Sequence, residues 1–249
     1  MACSGFRRWV GGFVLGLALV AQPSWSQTAG PMSRSGAVAS KNLAPGFKQL
    51  QPGDRVLLMP IDVELYSVSA GGVQEPRADW TAKALTHMTQ AIQARRQAAR
   101  VEVVELQADK ADEFAEVQGL HAAVAQAISL HQFGDPMWAL PTKAGRLDWS
   151  FGDAMRPLRE ASGARYALFV WVRDSYTSAE RVAMQIAIAA VSGVILAGGV
   201  QVGYASLVDL ETGQVVWFNR LARAQGDLRE PQPARESVDA LLQGFPGVQ

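Results

Sequence analysis

Short apolar runs that are typical of β-strands recur along the chain. The segment "DRVLLMPIDVELYSV" (54–68) predicts a buried first strand, and "VEVVEL" (101–106) predicts a short second one. "ARYALFVWVRDSYTS" (164–178) predicts a central strand. In "GYASLVDLETGQVVWFNRLA" (203–222), two apolar runs flank "ETGQ", where Gly213 can adopt the positive φ angle that a tight turn requires. This last stretch predicts a β-hairpin.

Helical periodicity marks the stretches between these strands. An apolar residue recurs every four positions in 79–100, and 109–131 carries an apolar stripe behind an acidic first turn. A short helix is predicted near 151–161, before Gly163, and Pro233 predicts the start of a last helix. The two long stripes consist of Trp80, Ala84, Met88 and Ile92, and of Phe114, Val117, Val124 and Ile128.

The order of these elements predicts the fold class. Strands and helices alternate first, a long loop follows at 132–149, and the hairpin and a terminal helix come last. Alternation of this kind is typical of an α/β protein with a parallel sheet, and the hairpin adds antiparallel strands. We therefore expect a three-layer α/β sandwich with a mixed β-sheet, a C-terminal β-hairpin and a terminal helix.

The stretch 182–208 contains no charged residue and fits three structures. Val182, Ile186 and Ala190 are spaced as on one face of a helix, which indicates a buried helix of a soluble domain. Apolar and smaller residues also alternate at its start, as in a β-hairpin. A transmembrane helix needs ~20 apolar residues, but Gln185 interrupts this run. The buried helix is favoured, and the pattern leaves helix and hairpin open.

The first residues have the three parts of a secretory signal peptide. Arg7 and Arg8 precede an apolar segment, and small residues follow it up to Ser26. An uncleaved anchor and a twin-arginine signal are the alternatives. The prediction is a periplasmic protein, exported through a cleaved signal peptide, with three segments: the signal peptide 1–26, a flexible linker 27–51 and a single α/β domain 52–249.

Charge and cysteine content narrow the chemistry. Lysine and arginine together number 23 and aspartate and glutamate also number 23, a balance that argues against nucleic-acid binding. The one cysteine, Cys3, precedes the apolar segment of the leader, so the chain has no lipobox. No zinc-ligand spacing, phosphate-binding glycine loop or G-x-S-x-G motif is present. We therefore predict no catalytic residue, no metal site and no cofactor.

Five residues are candidates for a binding site. Arg173, Asp174 and Tyr176 end the predicted central strand, where α/β domains often hold ligands. Trp138 and Trp149 lie in or beside the long loop, where an indole ring can stack on a sugar or peptide. A structural role is the alternative for each. Adjacent residues of a strand face opposite ways, so Arg173 and Asp174 do not pair with each other. Arg173 can instead pair with a carboxylate of a neighbouring strand.

Two further features have a chemical and a structural interpretation. His121 falls within the apolar stripe of the second helix, either as a buried base or as a hydrogen-bonded core residue. Asp62 and Glu64 lie two apart on one face of the first strand, where they are either an acid/base pair or a solvated strand end. The structural interpretation is favoured in both cases.

The stretches "GARYALFVWVRDSY" and "VGYASLVDLETGQVVWFNR" resemble those of secreted proteobacterial proteins similar to the curli-secretion (CsgG) and TolB amino-terminal group of envelope domains. The resemblance covers about 163–222. It implies a non-enzymatic assembly, secretion or activator module that binds an envelope protein or itself, with peripheral membrane contact also compatible. A subunit of a membrane-inserted secretion pore is the alternative function, and a hydrolase is the third.

Overall fold

A computed structural model of the chain describes residues 40–99, 101–106, 110, 112–192, 199–224 and 226–248. The chain divides into two units, Met1–Val38 and Ala39–Gln249, and the described residues belong to the second. The predicted signal peptide 1–26 lies outside the described residues. The segment bounds predicted above therefore remain predictions.

Seven strands and five α-helices make up the described part of the chain. Four short 3₁₀ turns accompany them, at Asp112–Phe114, Pro136–Trp138, Pro141–Lys143 and Gly152–Met155. In chain order the main elements are β1 (Arg55–Leu58), β2 (Asp62–Val68), β3 (Gln74–Pro76), α1 (Ala78–Ala99), β4 (Glu102–Glu105), α2 (Ala115–His131), α3 (Arg156–Ser162), β5 (Tyr166–Thr177), α4 (Ala179–Ser192), β6 (Gln201–Asp209), β7 (Val215–Arg223) and α5 (Pro231–Leu241).

All seven strands belong to one mixed sheet with β5 at its centre. One edge of β5 pairs with β6 in antiparallel fashion, and β6 pairs with β7. The other edge pairs in parallel with β1 at its start and with β2 towards its end. Beyond these, β4 runs parallel to β1 and the short β3 runs antiparallel to β2. The sheet is thus mainly parallel in its first half and antiparallel in its second, as predicted.

The predicted first strand is divided in two near Pro60. Val56 of β1 pairs with Tyr166, whereas Asp62 of β2 pairs with Trp171, so the register changes by one residue between the two strands. Met59 still donates its amide to the carbonyl of Leu168, at 3.0 Å. Proline has no amide hydrogen to donate, which explains a break at this position.

Helices cover both faces of the sheet and enclose two separate cores. On one face α1 packs against α5 and β2, and its predicted stripe is confirmed because Ala84, Met88 and Ile92 are buried. On the other face, Phe114 and Ile128 of the second stripe are buried together with Leu158 of α3. The three-layer α/β sandwich is therefore confirmed.

The predicted hairpin is formed by β6 and β7. Gly213 has a φ angle of +69° in the connecting turn, and its amide donates to the carbonyl of Asp209 at 2.8 Å. A carboxylate oxygen of Asp209 also accepts the amides of Glu211 and Thr212. The turn thus has the backbone conformation that favours glycine.

Part of the predicted linker 27–51 lies against the sheet. Leu43 pairs with Trp217 of β7, and the amide of Ala44 donates to the carbonyl of Val216 at 3.0 Å. Leu50 is fully buried in the core beside α1 and α5. These backbone bonds and the burial of Leu50 attach residues 43–50 to the domain.

The disputed stretch 182–208 begins as a helix and ends as a strand. Helix α4 covers Ala179–Ser192, β6 starts at Gln201, and residues 193–198 lie outside the described ranges. The expectation that this helix is buried is wrong for the side chains described, since Ile186 is 65% exposed. The reason is topological. Because α4 joins two antiparallel neighbours, it need not cross a face of the sheet.

A membrane-spanning helix is the third structure that fits the sequence of this stretch. Within the described ranges, no helix is both long enough and apolar enough to span a bilayer.

Candidate functional site

The candidate site lies where the parallel strands β2 and β5 end and where α1 and α4 begin. The amide of Arg77, just before α1, donates to the carbonyl of Leu65 in β2 at 2.8 Å. The amide of Ser178, just before α4, donates to the carbonyl of Val68 at 3.0 Å. These bonds bring both helix starts to the carboxyl end of the sheet, which is the edge predicted for ligand binding.

An open cleft of about 750 Å³ lies between these elements. The turn that joins β2 to β3 forms one wall, and the start of α4 forms another. Its charged and aromatic lining residues are Glu75, Arg77, Trp80, Glu180 and Arg229.

Two guanidinium groups lie against the indole ring of Trp80. The Cζ atom of Arg77 is 4.3 Å from the ring centroid and that of Arg229 is 4.5 Å from it. The Cζ atom of Arg229 also lies 4.1 Å from the ring centroid of Tyr176, and the rings of Tyr176 and Trp80 are nearly perpendicular with 5.7 Å between their centroids. Arg229 is held by Asp227 at 2.7 Å, a pairing that raises the pKa of Arg229. The result is a fixed cluster of cations and aromatic rings at the cleft.

Asp174 is the centre of a buried polar network beside this cluster. Only 3% of Asp174 is exposed, and its carboxylate accepts hydrogen bonds from the Tyr176 hydroxyl and from Nε2 of Gln201, the latter at 2.8 Å. The Tyr176 hydroxyl in turn accepts the amide of Leu228 at 2.7 Å. The network therefore ties β5 to β6 and to the loop before α5.

Burial sets the protonation behaviour of this network. It raises the pKa of the Asp174 carboxyl, and the hydrogen bonds from Tyr176 and Gln201 act in the opposite direction. Burial also raises the pKa of the Tyr176 hydroxyl well above its usual value, and the neighbouring Asp174 raises it further. A phenol that stays protonated in this way serves as a fixed hydrogen-bond donor.

Arg173 points away from this network, as the alternation of a strand predicts. Its guanidinium lies 2.6 Å from Oδ1 of Asp62 and 3.5 Å from Oε2 of Glu64. It also lies 4.7 Å from the ring centroid of Trp171. The predicted pairing of Arg173 with carboxylates of a neighbouring strand is thus confirmed, and Asp62 and Glu64 are engaged in it.

The two candidate tryptophans lie apart from the cleft, on the face covered by α2 and α3. Trp138 is 51% exposed at the end of a 3₁₀ turn, and its carbonyl lies 2.7 Å from Nδ1 of His131. Trp149 packs at the edge of that core, with Nζ of Lys143 5.0 Å from its ring centroid. The five predicted residues are therefore distributed over three places. Asp174 and Tyr176 are hydrogen-bonded to each other beside the cleft, where Tyr176 contacts Trp80 and Arg229, but neither lines it.

His121 is a core residue. Its ring is 4% exposed and stacks on Phe169, with 3.8 Å between centroids, while Nε2 is hydrogen-bonded to the hydroxyl of Ser206. Burial lowers its pKa to about 3. The imidazole is therefore neutral near pH 7 and has a structural role, the interpretation favoured from the sequence.

The local sequence pattern does not predict the cation–aromatic cluster. Trp80 was assigned to an apolar stripe of α1, and Arg77 precedes the first residue of that helix, so helical spacing does not predict their contact. No local signal connects Arg229 to Trp80, because the two are far apart in the chain. Among the described residues, no group of three histidine, cysteine or acidic side chains could hold a metal ion.

A second feature of this end of the domain is a set of exposed aliphatic side chains. The guanidinium of Arg181 in α4 donates to the carbonyl of Ser69, at 3.3 Å, and so joins α4 to the turn between β2 and β3. The amide of Ser175 donates to the carbonyl of Val200 just before β6. We call the exposed aliphatic side chains of α4, of this turn and of the start of β6 the apolar end surface. It consists of Val73, Val182, Met184, Ile186, Val200 and Val202.

No family model and no curated protein matches the sequence. The resemblance to the curli-secretion and TolB group therefore stays a prediction.

Solved structures give weak matches over most of the chain. A PelC dodecamer from Paraburkholderia phytofirmans is 16% identical, covering 81% of this chain and 93% of that one, with a TM-score of 0.37. The LpoB C-terminal domain from Salmonella enterica is 13% identical, covering 73% of this chain and 88% of that one, with a TM-score of 0.27. Lipoprotein GNA1162 from Neisseria meningitidis is 15% identical, covering 68% of this chain and 81% of that one, with a TM-score of 0.30. Values this low do not show a shared function, so the proposals below rest on this chain's own residues.

Proposed function

We propose that this chain is an exported, non-enzymatic protein of the bacterial cell envelope that acts by binding a protein partner. The observation that carries the proposal is the apolar end surface. Its most exposed member on α4 is Ile186, and Val182 and Met184 of the same helix accompany it. Several exposed aliphatic side chains on one short helix and its neighbouring segments are a feature of interaction surfaces.

The neighbouring cleft adds the polar part of such an interface. Arg77, Trp80 and Arg229 lie at its wall, and arginine and aromatic residues are enriched in protein interfaces. Their guanidinium groups are held by the ion pairs of Arg229 with Asp227 and of Arg77 with Asp79. A preorganised cation–aromatic cluster loses little side-chain entropy on binding.

Export is the second part of the proposal and rests on the leader sequence. We expect the signal peptide 1–26 to be removed near Ser26 in the periplasm, leaving a chain that starts at or near Gln27. Intact-mass measurement of the periplasmic protein tests this, and a full-length chain in the cytoplasm contradicts it.

Site-specific crosslinking in cells tests the binding surface. A photoreactive amino acid replaces Ile186 in one strain, and in a control strain it replaces Leu130, an exposed aliphatic residue of α2. We expect a discrete crosslinked species from position 186, identified by mass spectrometry as one envelope protein or as this chain itself, and none from position 130. Equal capture at both positions contradicts the proposed surface.

A pore subunit is the second candidate function, because the exposed aliphatic residues of α4 also fit contact with a bilayer. Washing membranes with alkaline carbonate distinguishes the two. Release of the mature chain into the supernatant supports the protein-binding function. Retention in the pellet that is lost in the variant Ile186→Asp supports membrane insertion.

A further inference from the structure

A second cavity, remote from the cleft, lies beside the sheet edge formed by β1 and β4. It has a volume of about 500 Å³, within the ~300–1,000 Å³ that ligand pockets span. The C-terminal half of α1 forms one wall, and the tail 242–248 together with the chain at 43–49 forms the other. Nothing in the proposed function involves this place.

Aliphatic side chains form a large part of the walls of this cavity. Val56 and Leu58 of β1, Val103 of β4 and Ile92 of α1 face it, and the tail contributes Phe245. Gln49 and Gln93 are the uncharged polar side chains among the lining residues. An apolar interior with few polar groups is the composition that binding sites for apolar ligands have.

The fold explains why the cavity exists. Helices α1 and α5 pack against each other over β2 and β7, so neither covers the β4 edge of the sheet. The tail closes the space only partly. It is held by the amide of Leu50, which donates to the carbonyl of Pro246 at 2.9 Å, and by Phe245, whose ring meets Trp217 edge-on at 5.4 Å.

Positive charge dominates the lining. Among the described residues, Lys48, Arg95 and Arg96 line the cavity, and Glu105 is the single acidic residue that does so. Arg96 lies 3.6 Å from Glu105, and Arg95 lies 2.8 Å from Asp239, but every partner in these two pairs is more than 40% exposed. Ion pairs this exposed contribute little to stability, so their guanidinium groups can turn to an anion on a ligand.

We propose that this cavity binds a single acyl chain that carries an anionic headgroup, such as a long-chain carboxylate or a lysophospholipid. The aliphatic walls take the hydrocarbon, whose transfer from water is favourable by ~0.8 kcal/mol per buried methylene. The excess of cations takes the headgroup. A cationic amphiphile of the same length is disfavoured by the same three side chains.

Binding of palmitate to the purified mature protein, measured by calorimetry, tests this inference. We expect saturable binding with one site, and at least tenfold weaker binding of hexadecyltrimethylammonium. Lysophosphatidylglycerol with the same acyl chain is measured in parallel. Saturable binding of either anion supports the proposal, and the anion that binds more tightly identifies the source of the ligand. No binding of either anion, or equal affinity for the cationic compound, overturns it.

Matched variants locate the site without altering the core. Gln93 and Gln90 are both exposed on α1, but only Gln93 lines the cavity. Gln93→Trp should fill the space and weaken palmitate binding at least tenfold, whereas Gln90→Trp should leave it unchanged. Lys48→Glu should weaken it about threefold or more, with Lys83→Glu, on the exposed surface of α1, as the control. Equal affinities of Gln93→Trp and Gln90→Trp overturn the assignment.

Palmitate binding tests this inference and crosslinking at position 186 tests the proposed protein-binding function, so failure of one is distinguishable from failure of the other. Loss of palmitate binding in Gln93→Trp with unchanged crosslinking at position 186 supports two independent sites.

Discussion

The imidazole of His121 lies parallel to the ring of Phe169, with 3.8 Å between centroids and 8° between planes. The hydroxyl of Ser206 satisfies its Nε2 atom. Helix α2 and strands β5 and β6 are thus joined at one buried point.

This burial predicts a pH dependence of stability. The imidazole takes up a proton near pH 6.5 in the unfolded chain, and only near pH 3 in the folded one. The contribution of His121 is therefore fully present above about pH 6.5 and is lost as pH falls towards 3. We expect the free energy of unfolding of the wild type, relative to His121→Phe, to fall by up to ~1.4 kcal/mol per pH unit below pH 6. Denaturant titrations between pH 4 and 8 measure this, and parallel curves for the two proteins contradict it.

Gly213 is predicted to tolerate no side chain. A Cβ atom there would lie 2.2 Å from the carbonyl oxygen of Gly152, in addition to adopting a positive φ angle. We expect Gly213→Ala to cost about 2 kcal/mol or more in the free energy of unfolding. Gly119→Ala, in the second turn of α2 with open space around it, is the control and should stabilise by about 0.5–1 kcal/mol. Equal melting temperatures of the two variants would mean that the turn can move.

Exposure of α4 predicts that a charge is tolerated there. Ile186 is 65% exposed, so Ile186→Asp should change the free energy of unfolding by no more than about 0.5 kcal/mol. Ile128 in α2 is 1% exposed, and Ile128→Asp should prevent folding because it buries an unpaired charge. Thermal denaturation followed by circular dichroism compares them. Unfolding of both variants would mean that Ile186 is buried, as the sequence pattern indicates.

Asp174→Asn is predicted to be more stable than the wild type at neutral pH, because the carboxyl of Asp174 is buried. Its pKa is raised in the folded state by burial, so the stability linked to its protonation is present at low pH and lost as pH rises. Asparagine can still accept the hydrogen bonds from Tyr176 and Gln201 without a charge. We expect Asp174→Asn to melt higher than the wild type at pH 7, with a smaller difference near pH 4. Asp153→Asn, at an exposed ion pair, is the control and should show little change.

Periodicity identified most of the elements because each element buries one face. The stripe Ala84, Met88 and Ile92 and the hairpin at Gly213 were predicted from local spacing, and both are in the structure. The short strand β3 was not predicted, since its three residues are all exposed and carry no alternation. The break at Pro60 was also missed, because apolar residues continue on both sides of the proline.

Local pattern also decided that Arg173 and Asp174 face opposite ways, because alternation is a property of any strand. Tertiary structure alone placed Arg229 on Trp80 and brought β1, β4 and the tail 242–248 around one cavity, since these contacts join distant parts of the chain. It also decided the exposure of α4. An apolar helix has the same sequence pattern whether it is buried or exposed. Only the position of α4 in the connection between β5 and β6 determines whether other elements pack on its apolar side chains.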